Sequence, residues 1–400
     1  MKTITLDDIH KASQFLFPKL VKTPLTFSKG FSKWAGTNVY FKYENQQLTG
    51  SFKVRGAFNK LASLNEEQKK RGVIASSAGN HAQGVAYSAR LLGVKAKIVM
   101  PKASSIVKIQ SSEGYGAEVI LHGDFYDEAF SHAKQLCQSE KLEFIPPFED
   151  PFIMAGQGTI GLEILDQLED CDTIVCSIGG GGLISGIATA AKALKPDIKI
   201  FGVVAQNTSA MSERYHNRPL KPKYKSTIAD GIALKNPSDY MLETYIRPLV
   251  DEVVEVSEAE IAKSLMLLLE RTKTLVEGSG AAAVAGLDHL RGRLGQKVAV
   301  VLSGGNIDLN LVSTVINRGL GESGRLAQFS VIVEDRPGNL LEVVRIVAQQ
   351  DANILDVKHD RVSLEVGIRQ ARIDLLVETR NFQHIKNIEQ ALKDFGALLN

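Results

Sequence analysis

Cysteine is scarce in this chain. Cys137, Cys171 and Cys176 are its only three, an odd number with no C-x-x-C spacing. That excludes a disulfide framework and a cysteine-built zinc site, and it points to a cytoplasmic protein. An excess of one charge is also lacking. Lys and Arg number 47 against 45 Asp and Glu, a formal net charge of +2. No strong field is offered to nucleic acid or to an anionic membrane. No apolar run reaches the roughly 18 residues of a membrane-spanning helix. The N-terminal MKTITLDDIHKASQFLF carries Asp7 and Asp8 where a secretory signal would be apolar, so it reads as an amphipathic surface helix. Low-complexity segments and the short period of tandem repeats are absent as well.

What is present is an ordinary globular composition over 400 residues, enough for about two or three domains. From about residue 39 to 305, short β-branched runs such as GVIASS, AKIVMP, TIVCSIGG, IKIFGVVA and VAVVLSGG alternate with helical stretches. Strict strand–helix alternation predicts α/β architecture, with parallel sheets covered by helices on both faces. Near residue 316 the character changes. INRGLGESGRLAQ is rich in Gly and charge and reads as a linker. Beyond it the pattern is βαββα, with only ALLN left for a last strand. Residues 327–400 are therefore expected to form a separate small α+β unit.

Four segments carry candidate chemistry. In TGSFKVRGAF (49–58), Lys53 sits among Phe52, Val54 and Phe58. An apolar, desolvated setting lowers a lysine pKa, as a Schiff-base lysine requires. The plainer alternative is a solvated lysine beside a helix start. In ASSAGNHAQG (75–84), a strand runs into a helix at Ser76, Ser77, Gly79 and Asn80. Hydroxyls and N–H groups there could hold a carboxylate, or could be an ordinary N-cap. In SIGGGGLISGIA (177–188), four consecutive glycines join a strand to a helix. Backbone N–H groups can close on a phosphate at such a junction, which is favoured over glycines kept only for packing. In VAVVLSGGN (298–306), Ser303 stands at a strand's C-terminal end, where ligands gather in open parallel sheets; taken alone it could be a turn serine.

A dinucleotide site is the obvious rival. Its G-x-G-x-x-G fingerprint fails here, because the third glycine position is Ile184 or Ser185, and the next strand, IKIFGVVAQN, ends without an acid. An imine lysine, an anion cradle and a phosphate cradle at strand C-termini together suit pyridoxal 5'-phosphate (PLP).

SFKVRGA, SSAGNHAQG, GGGGL and SGGN, in this order, closely resemble the fold-type II PLP enzymes, and most nearly the threonine ammonia-lyase (threonine dehydratase) family. The resemblance covers about residues 1–320. It implies a catalytic region of two parallel-sheet subdomains, the smaller, about 49–150, inserted in the larger. It implies that Lys53 carries the cofactor as a Schiff base and that Phe52 packs on the pyridine ring. Asn80 would bond the phenolic oxygen, and Gly179, Gly180, Gly181, Gly182 and Leu183 would hold the phosphate. Ser303 would face the pyridine nitrogen. Ser76, Ser77, Gly79, Asn80 and His81 would receive the substrate carboxylate. The implied reaction is loss of the Cα proton to Lys53, then loss of the β-hydroxyl, protonated by the cofactor phosphate. Threonine would yield 2-oxobutyrate and ammonia, and serine pyruvate.

Two departures and one addition matter. Relatives that bind a cation place an acid just after the strand IKIFGVVA, where this chain has Ala205, Gln206 and Asn207, so no divalent metal is expected and a monovalent ion held by carbonyls stays open. Serine racemases of the same fold are the alternative, but they carry serine just before the glycine of GNH, where this chain has Ala78. The C-terminal unit resembles an ACT domain, whose first strand-to-helix loop here is EDRPGNL (334–340). That resemblance implies an amino-acid effector such as isoleucine at Asp335, Pro337, Gly338, Asn339 and Leu340, and a homodimer or homotetramer.

Overall fold

The computed structural model describes residues 2–363 and 366–399. The chain divides into two compact units, residues 1–307 and 308–400.

In the first unit, six strands form the larger sheet: β1 (Leu25–Phe27), β2 (Asn38–Lys42), β7 (Thr173–Ser177), β8 (Lys199–Ala205), β9 (Glu252–Val256) and β10 (Lys297–Val301). Their order is β1-β2-β10-β7-β8-β9, with only β1 antiparallel to its neighbour. Every residue of β7 is buried, as expected of a strand covered on both faces. Helices Pro151–Gln167 and Gly182–Leu194 supply Ile160, Ile164, Ile184 and Ile187 to its core. Truncating one such buried isoleucine to alanine costs roughly 2–5 kcal/mol.

The smaller sheet is β3 (Val73–Ser76), β4 (Ala96–Met100), β5 (Glu118–Leu121) and β6 (Glu143–Phe144), in parallel order β5-β4-β3-β6. It lies in sequence between β2 and β7, so it is an insertion in the larger sheet. The N-terminal segment forms the helix Leu6–Leu16, started by a Thr5–Asp8 capping box and burying Ile9, Ala12 and Leu16. Asp8 is thus part of the helix start rather than a surface charge alone.

The second unit opens with the helix Leu309–Glu322 and continues into β11 (Leu326–Glu334). The segment read as a linker is therefore helix and strand, with only residues 323–325 between them. Leu311, Val312, Val315, Ile316 and Leu320 keep a helical spacing through the glycines, and the turn falls at Gly324, φ +67°. With β12 (Asn353–Asp360), β13 (Gln370–Glu378) and β14 (Leu398–Leu399) the unit makes an antiparallel sheet in the order β12-β13-β11-β14. The βαββαβ order is complete, its short last strand pairing with Val331 and Ile332. One sheet face packs Phe329, Val331, Ile373 and Leu375 against Val343, Val347, Ile388 and Leu392 of two helices.

Candidate active site

A cavity of about 1060 Å³ opens in the first unit at the C-terminal ends of strands from both sheets. Phe52, Lys53, Ser76, Ser77, Gly79, Asn80, His81, the glycines 179–182, Leu183 and Ser303 all line it. Segments far apart in sequence thus meet around one space.

Lys53 begins the helix Lys53–Ala62, directly after Phe52 at the N-cap. Its Nζ lies 5.2 Å from the Phe52 ring centroid and donates to the Pro147 carbonyl at 2.9 Å. Lys53 forms no ion pair among the described residues. Burial lowers its pKa from 10.5 to about 8, only partly opposed by the charge of Glu277. A neutral amine, able to attack a carbonyl carbon or accept a proton, is therefore far more populated near neutral pH than for a solvated lysine, at roughly a tenth of the molecules.

The carboxylate loop ends β3 and starts the helix Asn80–Leu92. The Gly79 N–H donates to Ser77 Oγ at 3.2 Å, and the N–H groups of the first helical turn have no intrahelical acceptor. An anion fits there. The His81 ring does not take part: its Nε2 bonds the Ile145 carbonyl at 2.9 Å. Burial, then the nearby charge of Lys53, pushes its pKa down to about 3. The imidazole is neutral and engaged, which leaves only the His81 backbone N–H for a ligand.

At the end of β7 the glycine run is shaped for a bulky anion. Gly181, at φ +92°, caps the helix Gly182–Leu194. A Cβ on Gly180 would lie 2.3 Å from the Phe148 ring, and one on Gly182 would lie 2.9 Å from Phe148 Cβ. A side chain at either position would collide with Phe148. Around the cavity, the buried hydroxyls of Ser76, Ser177 and Ser279 have no hydrogen-bond partner among the described residues. Buried polar groups of this kind are ordinarily satisfied, so three lining one cavity suit a polar ligand.

Sequence reasoning missed Glu277 and Asn306. Asn80 Nδ2 donates to both Glu277 oxygens at 2.8 and 2.9 Å, and Asn306 Nδ2 donates to Asn80 Oδ1 at 2.8 Å. Burial raises the Glu277 pKa from 4.5 to about 7, opposed by the hydrogen bond from Asn80. Glu277 precedes the helix Gly278–His289 and reads in sequence as an ordinary cap. Asn306 belonged to the SGGN segment, but nothing in sequence marked its partner.

Against known proteins, the family model described as "Pyridoxal-phosphate dependent enzyme" matches residues 16–304. The chain belongs to this family. It is 45% identical over 390 residues to the L-threonine ammonia-lyase of Thermotoga maritima, covering 97% of both chains. It is 44% identical to the catabolic L-threonine dehydratase TdcB of Escherichia coli strain K12, over 78% of this chain and 96% of that one. Among solved structures, maize serine racemase superposes with a TM-score of 0.75 at 31% identity, covering 80% of this chain and 99% of that one.

The cofactor of this family is PLP, and the residues present fit it. The glycine cradle suits its phosphate, Lys53 its aldehyde, and the orphaned hydroxyls its polar edge. Ser303 lines the same cavity, and its carbonyl accepts the Phe52 N–H at 3.1 Å, tying the segment after β10 to the lysine loop. After β8, the Gln206 carbonyl accepts from Lys221 Nζ at 3.1 Å, and this ammonium also meets Ser209 Oγ and Glu213. No described helix is long and apolar enough to cross a membrane.

In the second unit, Gly338 caps the helix Asn339–Gln349 at φ +99°, and Asn339 Nδ2 donates to the Glu334 carbonyl at 2.8 Å. The Asp335 carboxylate accepts from Arg361 at 2.6 Å, while Leu340 packs against the unit's core.

Proposed function

We propose that this chain eliminates water from L-threonine to release an enamine, whose imine form takes up water to give 2-oxobutyrate and ammonia, and treats L-serine likewise to give pyruvate. The observation that carries the reading is Lys53: a partly buried, desolvated amine with no ion pair among the described residues, lining the same cavity as an anion loop and a phosphate cradle. Bound PLP supplies the electron sink for negative charge developing at the substrate Cα. The N–H groups of residues 79–81 hold the substrate carboxylate and so orient the Cα–H bond. The neutral Lys53 amine then takes the Cα proton as general base. The N–H groups of Gly179–Gly182 would anchor the phosphate, and Ser303, just past the end of β10, would offer the pyridine nitrogen a hydroxyl rather than a carboxylate. The test is keto-acid release across a panel of amino acids. Release from threonine and serine supports the reading, and a PLP-loaded protein that releases none from either refutes it.

The similarity to maize serine racemase favours a second reading, racemisation. Racemisation needs a proton donor on the face opposite the lysine. Ala78 lines the cavity before Gly79 and has no proton to give. With L-serine, a chiral assay should show pyruvate far outrunning D-serine; comparable rates would favour the racemase.

We read the second unit as an ACT-like regulatory domain and the protein as a homo-oligomer. The βαββαβ order and the loop at Asp335, Pro337, Gly338, Asn339 and Leu340 support this, with isoleucine as effector. Threonine saturation curves with and without isoleucine test it, on the full chain and on one ending at Glu322. Regulation requires that isoleucine shifts the full-length curve and that truncation removes the shift.

A further inference from the structure

Glu277 and Asn306 hold the two ends of the Asn80 side chain. Asn306 Nδ2 lies 2.8 Å from the Thr49 carbonyl oxygen, which can only accept, so the nitrogen of Asn306 must face it. The same nitrogen donates to Asn80 Oδ1 at 2.8 Å. The oxygen of Asn80 therefore faces Asn306, and its nitrogen faces Glu277, at 2.8 and 2.9 Å from the two carboxylate oxygens. An amide orientation is assigned from its surroundings, and here each neighbour demands the same one.

The backbone leaves room for this arrangement. A Cβ on Gly304 would lie 2.5 Å from Glu277 Oε1 and 3.1 Å from Asn80 Nδ2. One on Gly50, at φ +71°, would lie 2.4 Å from Asn306 Oδ1. Glu277 is only 5% exposed and forms no ion pair among the described residues. Burying a carboxylate without a cation is costly, and a hydrophobic residue would avoid the cost.

We propose that Glu277 and Asn306 are positioning residues for the cofactor, clamping the Asn80 amide so that Glu277 accepts a hydrogen bond from one Nδ2–H, shared between its two oxygens, and the other Nδ2–H is held toward bound PLP. The proposal rests on the reading above only through the role of Asn80 in holding the cofactor.

A double-mutant cycle decides it. The variants are Asn80→Ala, Glu277→Gln, Asn306→Ala, and each of the last two combined with Asn80→Ala. Three quantities are measured: the PLP dissociation constant of the apoprotein, the absorption maximum of the bound cofactor, and kcat and KM for threonine. Glu277→Gln and Asn306→Ala are each expected to weaken PLP about tenfold and to shift the absorption band in the otherwise unaltered protein, as loss of a hydrogen bond to a charged or clamped group should. In the Asn80→Ala background each should change the constant by less than about twofold, because residues acting through one another are not additive. Full effects that persist without Asn80 would overturn the proposal, and so would an unchanged constant and band in both single variants. If the unaltered protein binds PLP yet releases no keto acid, the functional reading fails, while the binding constants and spectra still decide the clamp.

Discussion

Lys53 and Arg55 stand two residues apart on one helix, and their surroundings could hardly differ more. Arg55 is 1% exposed in its side chain and is held by two buried carboxylates. Its guanidinium donates to Glu44 at 2.7 and 2.8 Å, to Glu163 at 2.6 and 3.1 Å, and to Thr159 at 3.1 Å. Lys42 pairs with the same Glu163 and donates to the Thr23 carbonyl at 2.7 Å, which closes a quartet of two positive and two negative charges. Burial alone would lower the Arg55 pKa, but Glu44 and Glu163 raise it. At Glu44 burial acts upward, yet the Arg55 charge wins and holds the carboxyl below its usual range. Lys53 is desolvated with no carboxylate paired to it among the described residues, only the opposing charge of Glu277, and its pKa falls. Burial with a partner fixes a charge in place; burial without one leaves an amine ready to lose its proton. The quartet ties the helix Lys53–Ala62, which carries the Lys53 amine, to β2 and to the helix Pro151–Gln167.

The comparison breaks most sharply at Lys53. Lys53→Ala should lower keto-acid release by at least about a thousandfold, the upper range for a general base with its attachment role added. The thermal midpoint of the apoprotein should hardly fall, since an uncompensated desolvated amine is removed. A variant that keeps substantial elimination would end the assignment. Arg55→Met should do the reverse. Leaving Glu44 and Glu163 buried without their partner costs about 3–5 kcal/mol, which denaturant unfolding of the apoprotein would register. An Arg55→Met protein as stable as its parent would show that the quartet does not hold the helix.

A smaller effect concerns pH. The folded state disfavours protonated Lys53, whose pKa is about 8 folded against 10.5 unfolded. Its neutral form contributes stability that is lost as pH falls from 10.5 to about 8 and then changes no further. Glu277 works the other way. With a folded pKa of about 7 against 4.5, it costs stability as pH rises through that interval. Lys53→Met should therefore flatten the stability of the apoprotein above pH 8, and Glu277→Gln should flatten it between pH 4.5 and 7. Unaltered slopes in both variants would mean that neither group is desolvated. Smallest of all, Ser303→Asp should slow elimination several-fold and alter the absorption spectrum of the bound cofactor, and an unchanged spectrum and rate would place Ser303 away from the ring.

Much of this site was legible in sequence because its parts are local. A strand running into SSAGN, or into four glycines, places N–H groups at a helix start wherever the rest of the chain goes. The α/β alternation told the fold class for the same reason. What was hidden depends on contacts between distant segments. Glu277 looks like a cap until Asn80, nearly two hundred residues earlier, is seen to donate to both its oxygens. Arg55 sits inside the SFKVRG segment, yet its partners Glu44 and Glu163 belong to other elements. His81 was assigned to the carboxylate loop by position, and only the Ile145 carbonyl shows that its ring is already engaged. The glycines of INRGLGESGRLAQ suggested a linker, but the apolar spacing around them carried a helix.

Lys53 is the amine that reacts, and desolvation with no ion pair among the described residues makes it reactive. The direct measurement is the rate at which the apoprotein takes up PLP as a function of pH, each point stopped with borohydride and quantified on the peptide containing Lys53. The account predicts that the label falls on Lys53 and that the rate rises with pH to a plateau, with a midpoint near the folded pKa of about 8. A midpoint near the ordinary lysine value, or label on another lysine, would contradict it.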